Sequence, residues 1–307
     1  TYDFLMERKQ KQAFYRAITR YFSADMSAEI LKDPDDYYKA LKGANRTITL
    51  IFSDVRGFTS MSETAEPADL VRQLNEYLDA MVRIVYRHRG SIDKFIGDAV
   101  MAVWGRLRPP SDEKILNEEA TAAVNAAIDM REELVVLNLD WQSRGMESLA
   151  FGIGVHQGDA IVGDIGSSQR TEFTAIGDTV NSASRLESAT KQYGVDLLIS
   201  DVVRQRVADQ FICRTADLVK VKGKTHPMEI FTVIGRRSAE SPVSLELYEQ
   251  AVRSYRSGLF KEALVQLGQC ASSGLDDSLT HLYIERCEHL ATDPPENWDG
   301  VWVMTKK

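Results

Sequence analysis

The stretch ITLIFSDVRGFT, residues 48–59, places a run of apolar and β-branched side chains directly before a polar end. Residues 47–55 therefore predict a strand, and Arg56-Gly57 predicts the turn that follows it. A helix is expected next, because Pro67 suits a first helical turn, apolar residues recur at spacings of three and four, and Gly90 is a stop signal. A strand, a turn and a long amphipathic helix thus open the main folded region.

Glycine-aspartate pairs separate apolar runs at two further places. Within residues 91–104, Gly97-Asp98 stands between two such runs, which predicts a hairpin with a two-residue turn. Within residues 151–162, Gly158-Asp159 has the same position between shorter runs, and the same interpretation predicts a second strand pair. Asp98 would then lie at the tip of a hairpin.

The other periodic segments alternate between helical and strand patterns. Helices are predicted over 113–143 and 178–192, and short strands over 172–176, 195–199, 219–221 and 229–234. Mixed strands with helices returning over one face are typical of an α+β sandwich. The predicted fold class is therefore α+β.

The composition excludes several classes of protein. A length of 307 residues predicts roughly two domains, and 44% hydrophobic with 27% charged residues is ordinary for a globular protein. The net charge of −8 argues against a broad nucleic-acid-binding surface, so we expect no nucleic-acid partner, and a polyanionic ligand has to be held locally. Three cysteines without metal spacing predict buried thiols in a reducing compartment.

Three regions are predicted along the chain: a helical lead-in (1–44), the main domain (45–235), and a linker with a helical tail (236–307). Five Lys/Arg between Arg8 and Arg20, with no acid among them, indicate either a solvated helix face or the cytoplasmic flank of a membrane segment. No run reaches the roughly 18 apolar residues of a membrane span, and the chain opens without an initiator Met. We therefore expect a soluble, cytoplasmic part of a longer protein.

The tail has the spacing of a helix-turn-helix unit. One tetratricopeptide-like repeat is indicated by the recurrence of Tyr248, Ala251, Tyr255, Gly258, Phe260 and Ala263. A single repeat cannot bury its own apolar face, so the tail must pack on the main domain or on a partner. The last stretch contains Trp298 and Trp302 and is expected to be docked, with a free tail as the alternative.

Two aspartates stand out by position, since Asp54 closes the first strand and Asp98 lies in the hairpin turn. Hard divalent ions prefer carboxylate oxygens on rigid supports, with phosphates and water completing the coordination. Two converging carboxylates could bind one or two such ions and assist an in-line displacement at phosphorus. Either aspartate alone could also be an ordinary turn residue. The loop after Asp54 offers backbone N–H groups, with Gly57 allowing close approach of an anion.

Asn181 and Arg185 are four residues apart and share one face of the helix predicted over 178–192. An amide and a guanidinium placed in this way could meet a ribose and a phosphate together. The alternative is a capped amphipathic helix with a solvated arginine. Spacing alone leaves both interpretations open.

Three motifs follow one another along the chain: ITLIFSDVRGFT (48–59), DKFIGDAVMAVW (93–104) and EFTAIGDTVNSASR (172–185). In this order they strongly resemble the catalytic domain of class III nucleotidyl cyclases, over residues 45–235. The resemblance implies a ferredoxin-like mixed sheet with helices on one face. The tail is similar to that of bacterial cyclases whose N-terminal half is a membrane-spanning sensor, so the resemblance implies a membrane-anchored region upstream.

The resemblance also implies a role for individual residues. Asp54, Asp98 and the backbone of Val55 match the metal ligands, Asn181 the group that orients the ribose, and Arg185 the group that stabilises the transition state. The substrate-binding positions that match are Lys94 and Thr174 for the purine, Lys222 for the terminal phosphates, and the loop residues Gly57, Phe58 and Thr59. Lys224 is close enough to Lys222 to be an alternative.

What the family does is then expected of this chain. The resemblance implies an adenylyl cyclase that converts ATP to cyclic AMP and pyrophosphate with two Mg²⁺ or Mn²⁺ ions, in a homodimer whose sites are shared between protomers. Adenine presents an amine donor and a ring-nitrogen acceptor, which a Lys donor and a Thr hydroxyl can satisfy, so ATP is favoured over GTP. A guanylyl or pyrimidine cyclase, or a catalytically silent nucleotide-binding module, are the alternatives.

Overall fold

The structure is a computed structural model, and it describes residue 27 and residues 42–107, 112–167, 169–220, 227–237, 243–295 and 297–303. The chain divides into two compact units, one ending at Arg185 and the other beginning at Leu186. Most of the predicted lead-in and the predicted linker after residue 237 lie outside the described residues. Within the described part of the chain, no helix has the length and apolar character needed to cross a membrane.

The first unit is built on an antiparallel sheet with β1 at its centre. Its strands are β1 (Ala44–Val55), β2 (Ser91–Ile96), β3 (Ala99–Trp104), β4 (Phe151–Gly166) and β5 (Thr171–Ile176). β1 pairs with β3 on one side and β4 on the other, while β2 adds to β3 and β5 to β4, which gives the order β2-β3-β1-β4-β5. The predicted hairpin is confirmed, because Ile96 pairs with Ala99 around Gly97-Asp98. Gly97 adopts a left-handed φ of 67°, which glycine reaches without a Cβ clash.

Two long helices cover one face of this sheet. The helices of the unit are α1 (Phe58–Thr64), α2 (Pro67–Arg87), α3 (Glu113–Ser143) and the first turns of α4 (Asp178–Tyr193). Tyr77 of α2 lies with its hydroxyl 3.0 Å from Oγ of Ser53 in β1. The Nε2 atom of Gln157 in β4 donates to the carbonyl of Leu116 in α3 at 2.9 Å. The mixed α+β architecture is as predicted.

The opposite face of the sheet buries a second apolar cluster under the start of α4. Val180 and Ala183 of α4 pack against Leu50 and Phe52 of β1 and neighbouring apolar residues of β3, β4 and β5. β1 is therefore buried on both faces, which explains why its sequence is almost continuously apolar where a half-exposed strand would alternate. The prediction of helices on one face describes α2 and α3, and α4 adds a helix to the other.

The second predicted hairpin is wrong, because β4 is one unbroken strand from Phe151 to Gly166. Gly158-Asp159 continues the pairing with β1 opposite Ile48 and Thr47, and Thr47 donates to the Asp159 carboxylate at 2.6 Å. A Cβ on Gly158 would lie 2.8 Å from Oγ1 of Thr179, so glycine is required there for close packing. The glycine signals a close approach in this strand, not a turn.

The second unit contains the end of α4, a sheet and the helical tail. Its further elements are β6 (Leu197–Ser200), α5 (Asp201–Val207), β7 (Phe211–Lys220), β8 (Met228–Arg236), α6 (Val243–Arg256), α7 (Phe260–Ser272), α8 (Ser278–Thr292) and β9 (Trp302–Val303). β8 lies between β6 and β7, antiparallel to both, and β9 runs parallel to β7. β7 is longer than the short strand predicted over 219–221.

Three helices of the tail pack in one apolar cluster with β7. The cluster joins Tyr193 of α4 and Val219 of β7 to buried tail residues that include Tyr248, Tyr255 and Tyr283. Trp298 extends it, because its indole N–H donates to the carbonyl of Tyr255 at 3.0 Å. Cys270 and Cys287 are buried among these helices, as predicted, whereas Cys213 is only partly buried. The tail thus buries the apolar face that one repeat alone would leave exposed.

Candidate active site

Asp54 and Asp98 converge at one end of the first unit's sheet. Asp54 is the last residue but one of β1, and Asp98 follows Gly97 in the β2–β3 turn. The backbone N–H of Val55 donates to Oδ2 of Asp98 at 3.2 Å, so the turn is fastened to the end of β1. The two carboxyl groups interact with each other through charge and hydrogen bonding.

This proximity changes the acidity of one carboxyl group. Burial and, next, the negative charge of Asp98 raise the pKa of Asp54 to about 6. Two crowded carboxylates that resist a second negative charge are a favourable place for a divalent cation, which would relieve their repulsion. The two residues therefore fit the predicted Mg²⁺ or Mn²⁺ site.

The described residues contain no group of three or more His, Cys, Asp or Glu side chains arranged to hold a metal ion. A pair of carboxylates leaves coordination positions that phosphate oxygens and water can fill, as Mg²⁺ sites commonly use them. A donor set of this kind would suit a metal ion that is shared with a phosphate ligand.

The loop after Asp54 leads directly into α1. Gly57 has a left-handed φ of 72° at the start of that helix. This conformation is unfavourable for residues that have a Cβ atom. The backbone N–H of Arg56 donates to the carbonyl of Ala150 at 2.8 Å, which anchors the loop. Phe58 is half-buried, whereas Thr59 is exposed. Gly57, Phe58 and Thr59 therefore lie next to the aspartate pair, and their substrate-binding role stays a prediction.

The two residues predicted to contact the purine meet at a third residue, Asp93. Oγ1 of Thr174 in β5 donates to Oδ2 of Asp93 at 2.6 Å. Nζ of Lys94 lies 3.8 Å from the same oxygen and 3.0 Å from Oε2 of Glu172. The structure thus brings an ammonium donor and a hydroxyl to one place, although they are 80 positions apart in the sequence.

Asp93 and its partner Arg106 belong to this cluster, but the sequence motifs did not single them out as candidate site residues. The Asp93 side chain has no solvent exposure, and burial raises its pKa, with the Arg106 guanidinium as the largest opposing influence. Nη1 of Arg106 lies 3.2 Å from Oδ1 of Asp93, and Nη2 donates to the carbonyl of Ile92 at 2.9 Å. Asp93 lies beside Lys94 in the second motif. Nothing in the sequence marks Arg106, which follows β3 and is brought next to Asp93 of β2 because the two strands form a hairpin.

Asn181 and Arg185 lie on one face of α4, as predicted, and both are exposed in the single chain. The helix is fixed from its other side, because Oγ1 of Thr179 donates to the carbonyl of Asp159 at 2.6 Å and Ser182 is buried. The exposed side chains of Asn181 and Arg185 are therefore accessible to a ligand or to a second chain. Lys222 and Lys224 lie outside the described residues.

Comparison with known proteins defines the class to which this site belongs. The sequence profile of the adenylate and guanylate cyclase catalytic domain matches residues 42–235. The match covers more than half of the chain, so this chain belongs to the adenylate and guanylate cyclase family.

Several curated relatives carry adenylate cyclase names. The chain is 35% identical over 249 residues, 79% of its length, to "Adenylate cyclase, terminal-differentiation specific" of Dictyostelium discoideum. It is 38% identical over 197 residues, 62% of its length, to the adenylate cyclase of Anabaena cylindrica. The chain spans only 11% and 37% of those two relatives, so it corresponds to one part of each.

Solved structures from both branches of the family are similar. The crystal structure of the adenylyl cyclase CyaB from P. aeruginosa aligns with a TM-score of 0.59 and 36% identity, covering 65% of this chain and 99% of that chain. The guanylyl cyclase Cya2 aligns with a TM-score of 0.56 and 33% identity, covering 65% and 97%. The nucleotide that the chain uses must therefore be argued from its own residues.

Proposed function

We propose that this chain is the catalytic part of an adenylyl cyclase, which converts ATP to 3′,5′-cyclic AMP and pyrophosphate in a homodimer. The observation that carries the proposal is the meeting of Lys94 and Thr174 at Asp93. An ammonium group can only donate, so Lys94 suits the ring-nitrogen acceptor of adenine, while the Thr174 hydroxyl can take the exocyclic amine. Guanine presents a carbonyl and an N–H at the same positions and would leave these groups mispaired.

The proposal assigns two Mg²⁺ or Mn²⁺ ions to Asp54, Asp98 and the backbone of Val55. When bound, such ions neutralise triphosphate charge and lower the pKa of the ribose hydroxyl. In the reaction the 3′-oxygen of the ribose bonds to the α-phosphorus, and the bond from that phosphorus to the pyrophosphate breaks. Arg185 would neutralise charge that develops at the α-phosphate, and Asn181 would orient the ribose. We assign no side chain as the base that takes the hydroxyl proton.

The proposed site is shared between two copies of the chain. Asp54 and Asp98 would come from one protomer, and Lys94, Thr174, Asn181, Arg185 and Lys222 from its partner. The exposure of Asn181 and Arg185 supports this arrangement. Apolar exposure near the predicted metal site supports it too, because Phe95 is 46% and Ile96 is 53% exposed. Each homodimer would then have two equivalent sites.

The proposal extends to the longer protein. A membrane-anchored sensor region would precede this chain, which would lie on the cytoplasmic side. The five basic residues between Arg8 and Arg20 support this, since positive charge collects on the cytoplasmic flank of membrane segments. Membrane fractionation of the full-length protein tests it, and recovery wholly in the supernatant would contradict it.

The deciding experiment supplies the chain with ATP, GTP, CTP and UTP separately, with Mg²⁺ or Mn²⁺, and identifies the cyclic products. Cyclic AMP formed preferentially from ATP would support the proposal, and preferential cyclic GMP would favour a guanylyl cyclase. Nucleotide binding without any product would favour the silent module. Because the active unit is proposed to be a dimer, specific activity should rise with protein concentration in the range where the dimer dissociates.

A further inference from the structure

A buried carboxylate lies directly behind the hydroxyl of Thr174. Oδ2 of Asp93 accepts a hydrogen bond from Oγ1 of Thr174 at 2.6 Å, and the Asp93 side chain has no exposure to solvent. Nζ of Lys94 lies 3.8 Å from the same oxygen. Asp93 cannot itself meet a nucleotide, but it contacts both residues assigned to the base.

Arg106 fixes the charge and the orientation of this carboxylate. Its side chain is 3% exposed, and its Nη1 atom lies 3.2 Å from Oδ1 of Asp93, the carboxylate oxygen to which Thr174 does not donate. The other nitrogens of Arg106 donate to Oγ of Ser91 at 2.7 Å and to the carbonyl of Ile92 at 2.9 Å. An arginine held in this way favours the ionised form of Asp93, in which the carboxylate only accepts hydrogen bonds.

The hydrogen bond to Asp93 determines whether the Thr174 hydroxyl acts as a donor or as an acceptor toward the purine base of the nucleotide. A free threonine hydroxyl can donate or accept, so by itself it does not distinguish an amine from a carbonyl. Once its single proton is committed to a carboxylate, only its lone pairs remain. Thr174 then faces the ligand as an acceptor, which matches the 6-amino group of adenine and opposes the 6-carbonyl group of guanine or hypoxanthine.

We propose that Asp93 is the positioning residue for purine selection, because it forces Thr174 to act as a hydrogen-bond acceptor. The inference rests on the proposed adenylyl cyclase function and deepens it. In this arrangement the selectivity belongs to a relay from Arg106 through Asp93 to Thr174. Thr174 alone would be permissive.

The first test replaces Asp93 by its isosteric amide. In Asp93→Asn the amide oxygen stays with Arg106 and the amide nitrogen donates to Thr174, which frees the hydroxyl proton of Thr174 to point at the base. Purine riboside triphosphate is the informative partner of ATP, because it keeps the ring-nitrogen acceptor and lacks the 6-amino group. We expect the ratio of kcat/KM for ATP over this analogue to fall about tenfold, the value of one hydrogen bond.

A matched control comes from the same sheet. Asp159 accepts from Oγ1 of Thr47 at 2.6 Å, an aspartate-threonine pair with the same oxygen–oxygen distance whose side chains are not assigned to the nucleotide base. Asp159→Asn should leave the ratio unchanged. If Asp93→Asn also leaves it unchanged while the chain stays folded and active, Asp93 has only a structural role and the inference fails.

A second variant keeps the inference testable should Asp93→Asn fail to fold. Thr174→Val removes the hydroxyl and conserves the shape of the side chain. A locked acceptor repels the 6-carbonyl group of ITP, so Thr174→Val should raise kcat/KM for ITP. A hydroxyl free to rotate would donate to that carbonyl, and the same variant would then lower kcat/KM for ITP, which would overturn the inference.

Failure of the proposed function has a different signature. If the unchanged chain forms no cyclic AMP, the adenylyl cyclase proposal fails by itself. The preference for adenine can then be measured as the ratio of equilibrium dissociation constants for 3′-deoxy-ATP and 3′-deoxy-ITP, which cannot cyclise. A binding preference for the adenine nucleotide that Asp93→Asn lowers would support the role of Asp93, and equal preference in both proteins would contradict it.

Discussion

The backbone N–H of Val55 donates a hydrogen bond to the carboxylate of Asp98 at 3.2 Å. The bond joins the end of the central strand to the tip of a hairpin that begins more than 30 residues later. It holds Asp98 beside Asp54, so two carboxylates of like charge stay close although they repel each other. Backbone pairing of β1 with β3 fixes the rest of this geometry.

Asp98→Asn is expected to reduce cyclase activity by on the order of 10²-fold or more, because a charged metal ligand is replaced by a neutral one. Cyclic AMP formation at saturating Mn²⁺ measures the loss. Asp69→Asn is the control, since Asp69 is an exposed aspartate on α2 that pairs with Arg72. Equal activity of Asp98→Asn and the unchanged chain would contradict the metal assignment.

The pKa of Asp54 should respond to the same change. In the metal-free protein burial and the charge of Asp98 raise this pKa to about 6, so Asp98→Asn, which removes that charge, should lower it. Saturating Mg²⁺ should also lower it, because the cation favours the ionised form, and binding below pH 6 should therefore release protons. NMR titration of the Asp54 carboxyl carbon measures both effects. An unchanged pKa would show that the two carboxyl groups are not coupled.

Two inactive variants should restore activity when mixed. A dimer of one Asp98→Ala chain and one Arg185→Ala chain would have one site with every group intact and one site lacking both. Random pairing of equal amounts should give about a quarter of the unchanged activity. Asp54→Ala mixed with Asp98→Ala is the control that should stay inactive, since both changes fall in the same half-site. No recovery in the first mixture would argue against sites shared between protomers.

Reversal of the hydrogen-bonding pattern at the base should change the preferred nucleotide. In the double variant Lys94→Glu, Thr174→Cys, a carboxylate acceptor replaces the ammonium donor and can take the N–H of guanine. We expect the ratio of kcat/KM for ATP over GTP to fall by at least about tenfold. Loss of total activity without a change in that ratio would contradict the assignment of these residues to the base.

The stability of the second unit should depend on a buried ion pair. Nη1 of Arg286 lies 2.7 Å from Oδ2 of Asp217, with side chains 3% and 1% exposed, and the Tyr193 hydroxyl donates to the same oxygen. Arg286→Met should cost about 3 kcal/mol, because it leaves the carboxylate buried without its cation. Urea unfolding measures the loss, and the exposed Arg253→Met is the control.

Adding Asp217→Asn to Arg286→Met should recover part of that stability, because the buried charge is then absent. Additive losses in the double variant would contradict the idea that the unpaired charge causes the instability.

Local sequence signals predict much of the secondary structure of the first unit. The Gly97-Asp98 turn and the long α3 helix follow from turn chemistry and helical periodicity, which act over a few residues. The three motifs also marked Asp54, Asp98, Lys94 and Thr174. Sequence spacing could not show that Lys94 and Thr174 meet, because β2 and β5 come together only through the folded sheet.

The errors and omissions have a common physical cause. The sequence pattern predicts a turn at Gly158, whereas its lack of a side chain allows Thr179 of α4 to pack closely against β4. Arg106 left no recognisable pattern, since its value depends on burial beside Asp93 and not on its sequence neighbours. Long-range contacts between single residues are invisible to periodicity and to local motifs.

The packing of the tail limits where this chain can be truncated or fused to another domain. The family match ends at residue 235, yet Tyr193 and Val219, which precede that border, are buried by helices that follow it. A fragment that ends at residue 235 would expose the apolar surface that the tail helices cover and would tend to aggregate. Chimaeras that join the catalytic region to a sensor domain should therefore carry the chain through Trp302, whose ring lies 4.2 Å from the Arg286 guanidinium.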